Sequence, residues 1–117
     1  MLNLLFFSHL FAEDKLIKDA LYALEKGIKY FHSISTDGGY LWEYSVDLKE
    51  RWGEGEATDT QIWVQPPGTP SVGEAFLRAY KVTGERFYLS CAEDAADALI
   101  WGQKKPGGWE YKIDFKS

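Results

Sequence analysis

Residues 37–70 read DGGYLWEYSVDLKERWGEGEATDTQIWVQPPGTP, with no apolar stripe at helical spacing, between two flanks that do carry one. A long irregular segment inside a compact domain is uncommon, and is usually either functional or disordered. Disordered segments are poor in aromatics. This one holds Trp42, Trp52 and Trp63, three of the chain's five tryptophans. It is therefore expected to be an ordered, aromatic-walled binding surface; a loop that only packs is the alternative.

The flanks read as helices. From Glu13 to Phe31, Leu16, Ile17, Ala20, Leu21, Leu24, Ile28 and Phe31 recur at three- and four-residue steps, with Lys and acidic residues between them. After Pro70, Ser71 and Glu74 stand at capping-box spacing ahead of a face made by Val72, Ala75, Phe76, Ala79 and Tyr80. Gly84 can take the left-handed cap that closes this second helix. A third helix is expected from Arg86 to Trp101, with Leu89, Ala92, Ala96, Leu99 and Ile100 inward. Between the flanks, Tyr40–Tyr44 and Thr60–Gln65 read as short extended pieces, residues 51–56 as a flexible acidic turn, and Pro66-Pro67-Gly68 as polyproline followed by a turn.

Composition narrows the partners. The net charge is −5 and no run of Lys or Arg occurs, which argues against nucleic acid. Aromatics make up 16% of the chain, a stock suited to flat apolar faces such as sugar rings. Cys91 is the single cysteine, so no internal disulfide forms, and it reads as a small buried hydrophobe. The opening MLNLLFFSHLFA has two readings: a short secretory signal ending near Ala12, or an apolar N-terminal helix. The first reading makes the mature protein periplasmic or secreted. The run is too short to span a membrane, so no transmembrane segment is expected.

One pattern recurs. A helix leads into Gly38-Gly39-Tyr40 with Trp42-Glu43-Tyr44 behind it, and another into Gly107-Gly108-Trp109-Glu110-Tyr111. Two such units suggest helical hairpins with equivalent loops at one end.

With Ala57-Thr58-Asp59-Thr60-Gln61, the run Tyr80 to Tyr88 and Gln103 followed by Pro106-Gly107-Gly108-Trp109, the chain resembles the pectic acid lyases, polysaccharide lyases built as α/α toroids. The resemblance covers residues 54–109. It departs at Gly55-Glu56, where the family has Asn-Asp, and at Glu110-Tyr111, where it has Pro-Gln. It implies an all-α fold: antiparallel helical hairpins forming an arc of a toroid, with long aromatic and glycine-rich loops at one end. Three helices are fewer than a toroid needs, so residues 13–117 are expected to be a partial domain, a monomer or a piece of a longer chain.

The implied chemistry is cleavage of an acidic polysaccharide or oligosaccharide by calcium-assisted β-elimination. Calcium would neutralise the uronate carboxylate and a base would remove the neighbouring proton. Glu56 matches the family's acidic position, and Glu54 and Asp59 complete the expected cation site. Trp42, Arg51, Trp52, Asp59, Trp63 and Trp109 are the expected substrate contacts. The resemblance implies an arginine base, but neither Arg51, Arg78 nor Arg86 stands in a matching motif, so no catalytic residue is assigned. Two other readings are open. One is a toroid glycoside hydrolase or epimerase using Glu43 with Asp47 or Glu54 with Asp59. The other is a non-catalytic carbohydrate-binding piece.

Overall fold

The computed structural model describes the backbone of residues 2–117 and the side chains from His9 onward. Two compact units divide it, Met1–Ser33 and Ile34–Ser117. Helices are joined by two small antiparallel sheets, so the all-α toroid arc expected from the sequence is not what forms. The physical reason lies in the inter-helix segments. Their backbone donors and acceptors are satisfied by strand ladders, partly between residues far apart in sequence, rather than by further helical turns.

The first unit is one helix, α1 (Leu2–Ser33), longer than the expected Glu13–Phe31. Ala12 lies inside it. The rest of the apolar opening falls largely on residues 1–8, whose side chains are outside those described. Lys15–Asp19 and Glu25–Lys29 form ion pairs one turn apart, at 2.8 and 2.7 Å, and His9 Nε2 lies 2.8 Å from a Glu13 carboxylate oxygen at the same spacing. Exposed pairs of this kind contribute a few tenths of a kcal/mol each, ~0.2–0.5. Of the expected stripe, Ile28 is buried, while Leu16, Ile17, Leu21 and Phe31 are exposed. Among the described residues, no helix is long and apolar enough to cross a membrane.

The second unit opens with strands β1 (Glu43–Tyr44), β2 (Arg51–Trp52) and β3 (Glu56–Ala57), an antiparallel meander in that order. The acidic turn expected at 51–56 is thus the β2–β3 hairpin. Strand β4 (Gln61–Trp63) lies within the extended piece expected at Thr60–Gln65, and pairs with β5 (Lys112–Asp114) in the register Gln61↔Asp114, Ile62↔Ile113, Trp63↔Lys112. Between β4 and the next helix, the Pro66–Pro67 bond is cis rather than polyproline-extended, and Gly68 N–H closes the turn on Gln65 O at 2.9 Å.

Helix α2 (Thr69–Thr83) begins before the expected start at Ser71. Gly68 is its N-cap, with no side-chain cap bond, so the Ser71/Glu74 capping box does not form. Glu74 instead bonds Arg78 at 2.8 Å, one turn along. Gly84 ends the helix at φ 75°, its N–H on Tyr80 O, as the sequence suggested.

Helix α3 (Arg86–Gly102) buries Tyr88, Cys91, Ala95 and Ala98. That stripe lies one residue before the expected Leu89, Ala92, Ala96 and Leu99. Small residues decide the phase, because they let neighbours approach closely. A Cβ at Gly73 of α2 would sit 3.1 Å from that of Ala95, and Ala98 packs with Ile62 and Ile113 beneath Val64, Leu99 and Phe115. Burial pushes the Cys91 thiol up to about 11, as fits a core residue.

Tyr40 ties the layers together. Its ring meets Phe76 edge-on at 5.8 Å. Its backbone N–H and C=O both bond the fully buried Thr69 hydroxyl, at 3.0 and 3.1 Å, and its C=O also accepts Trp63 N–H at 2.9 Å.

Candidate functional site

A cleft of about 780 Å³ opens in the second unit, lined by Glu54, Gly55, Trp63, Trp109, Glu110, Tyr111 and Lys112. Three sequence segments build it. The β2–β3 turn carries Glu54, and β4 carries Trp63. Beside β4 the stretch entering β5 brings Trp109 to Lys112, drawn in by the Trp63↔Lys112 pairing and by Val64 N–H on Tyr111 O at 2.8 Å.

Each tryptophan is held by its indole N–H. Trp109 donates to Leu99 O at 2.8 Å, which fastens the double-glycine loop to the end of α3. Gln103 Nε2 on Gly107 O (2.7 Å) and Lys104 N–H on Gly108 O (2.8 Å) hold the loop itself. Trp63 donates to Gln65 Oε1 at 3.1 Å and is backed edge-to-face by Trp42 at 5.9 Å; Trp42 donates to Gln65 O at 2.9 Å. A Cβ on Gly53 would overlap the Trp63 indole. Only a glycine lets the backbone lie there. Trp63 is therefore a fixed, largely buried wall, whereas Trp109 (44% exposed) and Tyr111 (65%) offer open ring surface.

The residues picked out in the sequence are divided by this geometry. Glu54, Trp63 and Trp109 meet in the cleft. Trp42 stands behind Trp63. Arg51, Trp52 and Glu56 line a separate groove of about 260 Å³ with Lys49, Glu50, Ala57 and Thr58. The Arg51 guanidinium lies over the Tyr44 ring at 5.4 Å, and its Nε donates to Leu48 O at 3.2 Å. Asp59 is exposed, and its backbone carbonyl accepts the Thr36 hydroxyl at 3.1 Å.

The acidic residues expected to hold calcium, Glu54, Glu56 and Asp59, thus face different surroundings. Among the described residues, no group of three or more His, Cys, Asp or Glu is arranged to hold a metal ion. Asp47, one of the alternative carboxylates, works in a turn. The Lys49 N–H and the Ser45 hydroxyl donate to it, holding it below the usual carboxylate range. Glu110, Tyr111 and Lys112 are cleft residues that the sequence reading does not assign to the site. The available signal was the alternation Trp109-Glu110-Tyr111-Lys112-Ile113, which marks a strand after the glycines.

Beside the cleft, Asp114 is also kept below its ordinary value, by the Lys116 N–H first, then the Thr60 hydroxyl and the Gln61 amide. It is a structural carboxylate. The cleft itself combines open aromatic rings, carboxylates that accept hydroxyl hydrogen bonds, and an ammonium that donates them. Comparison with family models, with curated proteins and with solved structures gives no match.

Proposed function

We propose that this protein binds carbohydrate in the cleft between the β2–β3 turn and β5. One observation carries the reading. Exposed Trp109 and Tyr111 line the same cleft as Glu54, Glu110 and Lys112. Sugars present a C–H face that suits an aromatic ring and a rim of hydroxyls that suits carboxylates and amines. A concave site with apolar walls and a few polar groups is the usual form of a small-ligand site.

Chain cleavage is the finer reading. The residues in favour of it are Glu54 and Glu110, two carboxylates lining one cleft, as acid–base work on a glycosidic bond requires. Calcium-assisted elimination of a uronate chain rests on the sequence resemblance around Ala57–Gln61. Its cation would have to be held by Glu54 or Glu110 together with the ligand's own carboxylate.

The experiment is titration calorimetry with galacturonate, xylose, cello- and manno-oligosaccharides, with and without calcium. Binding is expected for at least one series, and Trp109→Ala is expected to weaken it by about tenfold, ~1.4 kcal/mol. No binding in any series, or binding indifferent to Trp109→Ala, overturns the reading. Calcium dependence and unsaturated products support elimination; reducing-end release without them supports hydrolysis.

A further inference from the structure

A second cavity, of about 450 Å³, shares Glu110 and Lys112 with the cleft and is otherwise lined by Trp101, Lys104, Gln61 and Asp114 among its polar and aromatic groups. The strand register explains the adjacency. The Trp63↔Lys112 pair borders the cleft and the Gln61↔Asp114 pair borders the second cavity. Residues two apart lie on one face of a strand, about 7 Å apart along it. One face of the β4–β5 ribbon therefore runs from the first cavity to the second.

At the far end stands Trp101, 59% exposed, its ring against Phe115 with centroids 4.8 Å apart. Phe115 holds the indole in place while more than half of the residue meets solvent. Lys104 and Glu110 are exposed beside it. Beyond the shared Glu110 and Lys112, the second cavity thus adds an open tryptophan and a further ammonium group.

We propose that the Trp101 cavity is a second sugar subsite, continuous with the cleft across Glu110 and Lys112, so that the ligand is a chain of several sugar units and not a monosaccharide. This rests on the carbohydrate reading of the cleft. Trp109 holds one part of the chain and Trp101 another, and the ribbon between them sets the direction in which the chain lies.

The test compares di- and tetrasaccharides of the galacturonate, xylose, cello and manno series on the full chain. The tetrasaccharide of a series that binds is expected to bind about tenfold tighter than its disaccharide. Trp101→Ala and, separately, Lys104→Ala should remove that gain and leave disaccharide affinity unchanged, whereas Trp109→Ala should weaken both lengths. Lys104→Ala and Trp101→Phe guard against misfolding, since one is a surface change and the other keeps a ring against Phe115. Affinity independent of length, or a tetrasaccharide gain that survives both Trp101→Ala and Lys104→Ala, overturns the second subsite while leaving the cleft intact. Absence of binding in every series overturns both.

Discussion

The backbone of Gly53 lies against the indole face of Trp63, with no room for a methyl group between them. Gly53→Ala must therefore push Trp63 or shift the β2–β3 turn. Overpacking of this kind costs about 1–3 kcal/mol. Chemical denaturation should show that loss, and the displaced cleft wall should weaken saccharide binding in parallel. Gly55, at the tip of the same turn, has open space around its Cα. Gly55→Ala should change both measurements far less.

Thr69 offers a second test. Its hydroxyl is the partner of Tyr40 N–H, while Tyr40 C=O keeps Trp63 N–H as a further donor. Thr69→Val keeps the shape and takes the Thr69 hydroxyl away from the buried Tyr40 N–H, a loss of about 1–3 kcal/mol. Thr69→Ser keeps the hydroxyl and should retain most of the stability, apart from one buried methyl of about 1 kcal/mol.

Acid stability should depend on Asp114. Its carboxyl is held below its ordinary value of 3.8 by the Lys116 N–H, the Thr60 hydroxyl and the Gln61 amide. A depressed carboxylate adds stability that is fully present above its unfolded value and is lost as pH falls through the folded one. The gap in melting temperature between wild type and Asp114→Asn should thus be constant from pH 7 to about 5 and close below pH 3.8. A gap that widens on acidification would contradict the assignment.

Cys91 is buried on α3, with its thiol pushed up to about 11 by burial. Only the thiolate reacts with alkylating agents. At pH 8 the folded protein should resist iodoacetamide, and guanidinium should release the reaction to the rate of a free cysteine. Cys91→Ala should cost ~1 kcal/mol or less, since a small side chain replaces another in a packed helix face.

How much of this was legible depends on whether the determinant is local. Helices α2 and α3 follow from three- and four-residue spacing, and Gly84 marks the break between them. The buried face of α3 lies one residue from the one its sequence suggests because alanines fall on several sides of it, and only Gly73 and Ile113 across the packing decide which are covered. Strands β1, β2 and β3 are two residues each, too short for a period to show. The β4–β5 pair joins segments on either side of a helical hairpin, which no local pattern announces. Trp63, Trp109 and Glu54, which line one cleft, are conspicuous in the sequence as aromatic and acidic residues in a segment without helical spacing or next to glycines. Lys112 is not conspicuous, since its place in the cleft depends on its register opposite Trp63. The carboxylates expected to hold calcium are close in sequence; Glu54 lines the cleft and Glu56 the separate groove.

The hydrogen bond from Thr60 to Asp114 spans 54 positions, and the cleft draws its walls from near both ends of that span. The walls meet only in the closed β4–β5 ribbon, with α2 and α3 between its strands in sequence. Occupancy of the cleft is then thermodynamically linked to unfolding of the whole Ile34–Ser117 unit, not to the order of one loop. A sugar present at about a hundred times its dissociation constant would raise that unit's unfolding free energy by about 2.7 kcal/mol. Amide protons deep in α3, far from any saccharide contact, would report its arrival as slowed exchange.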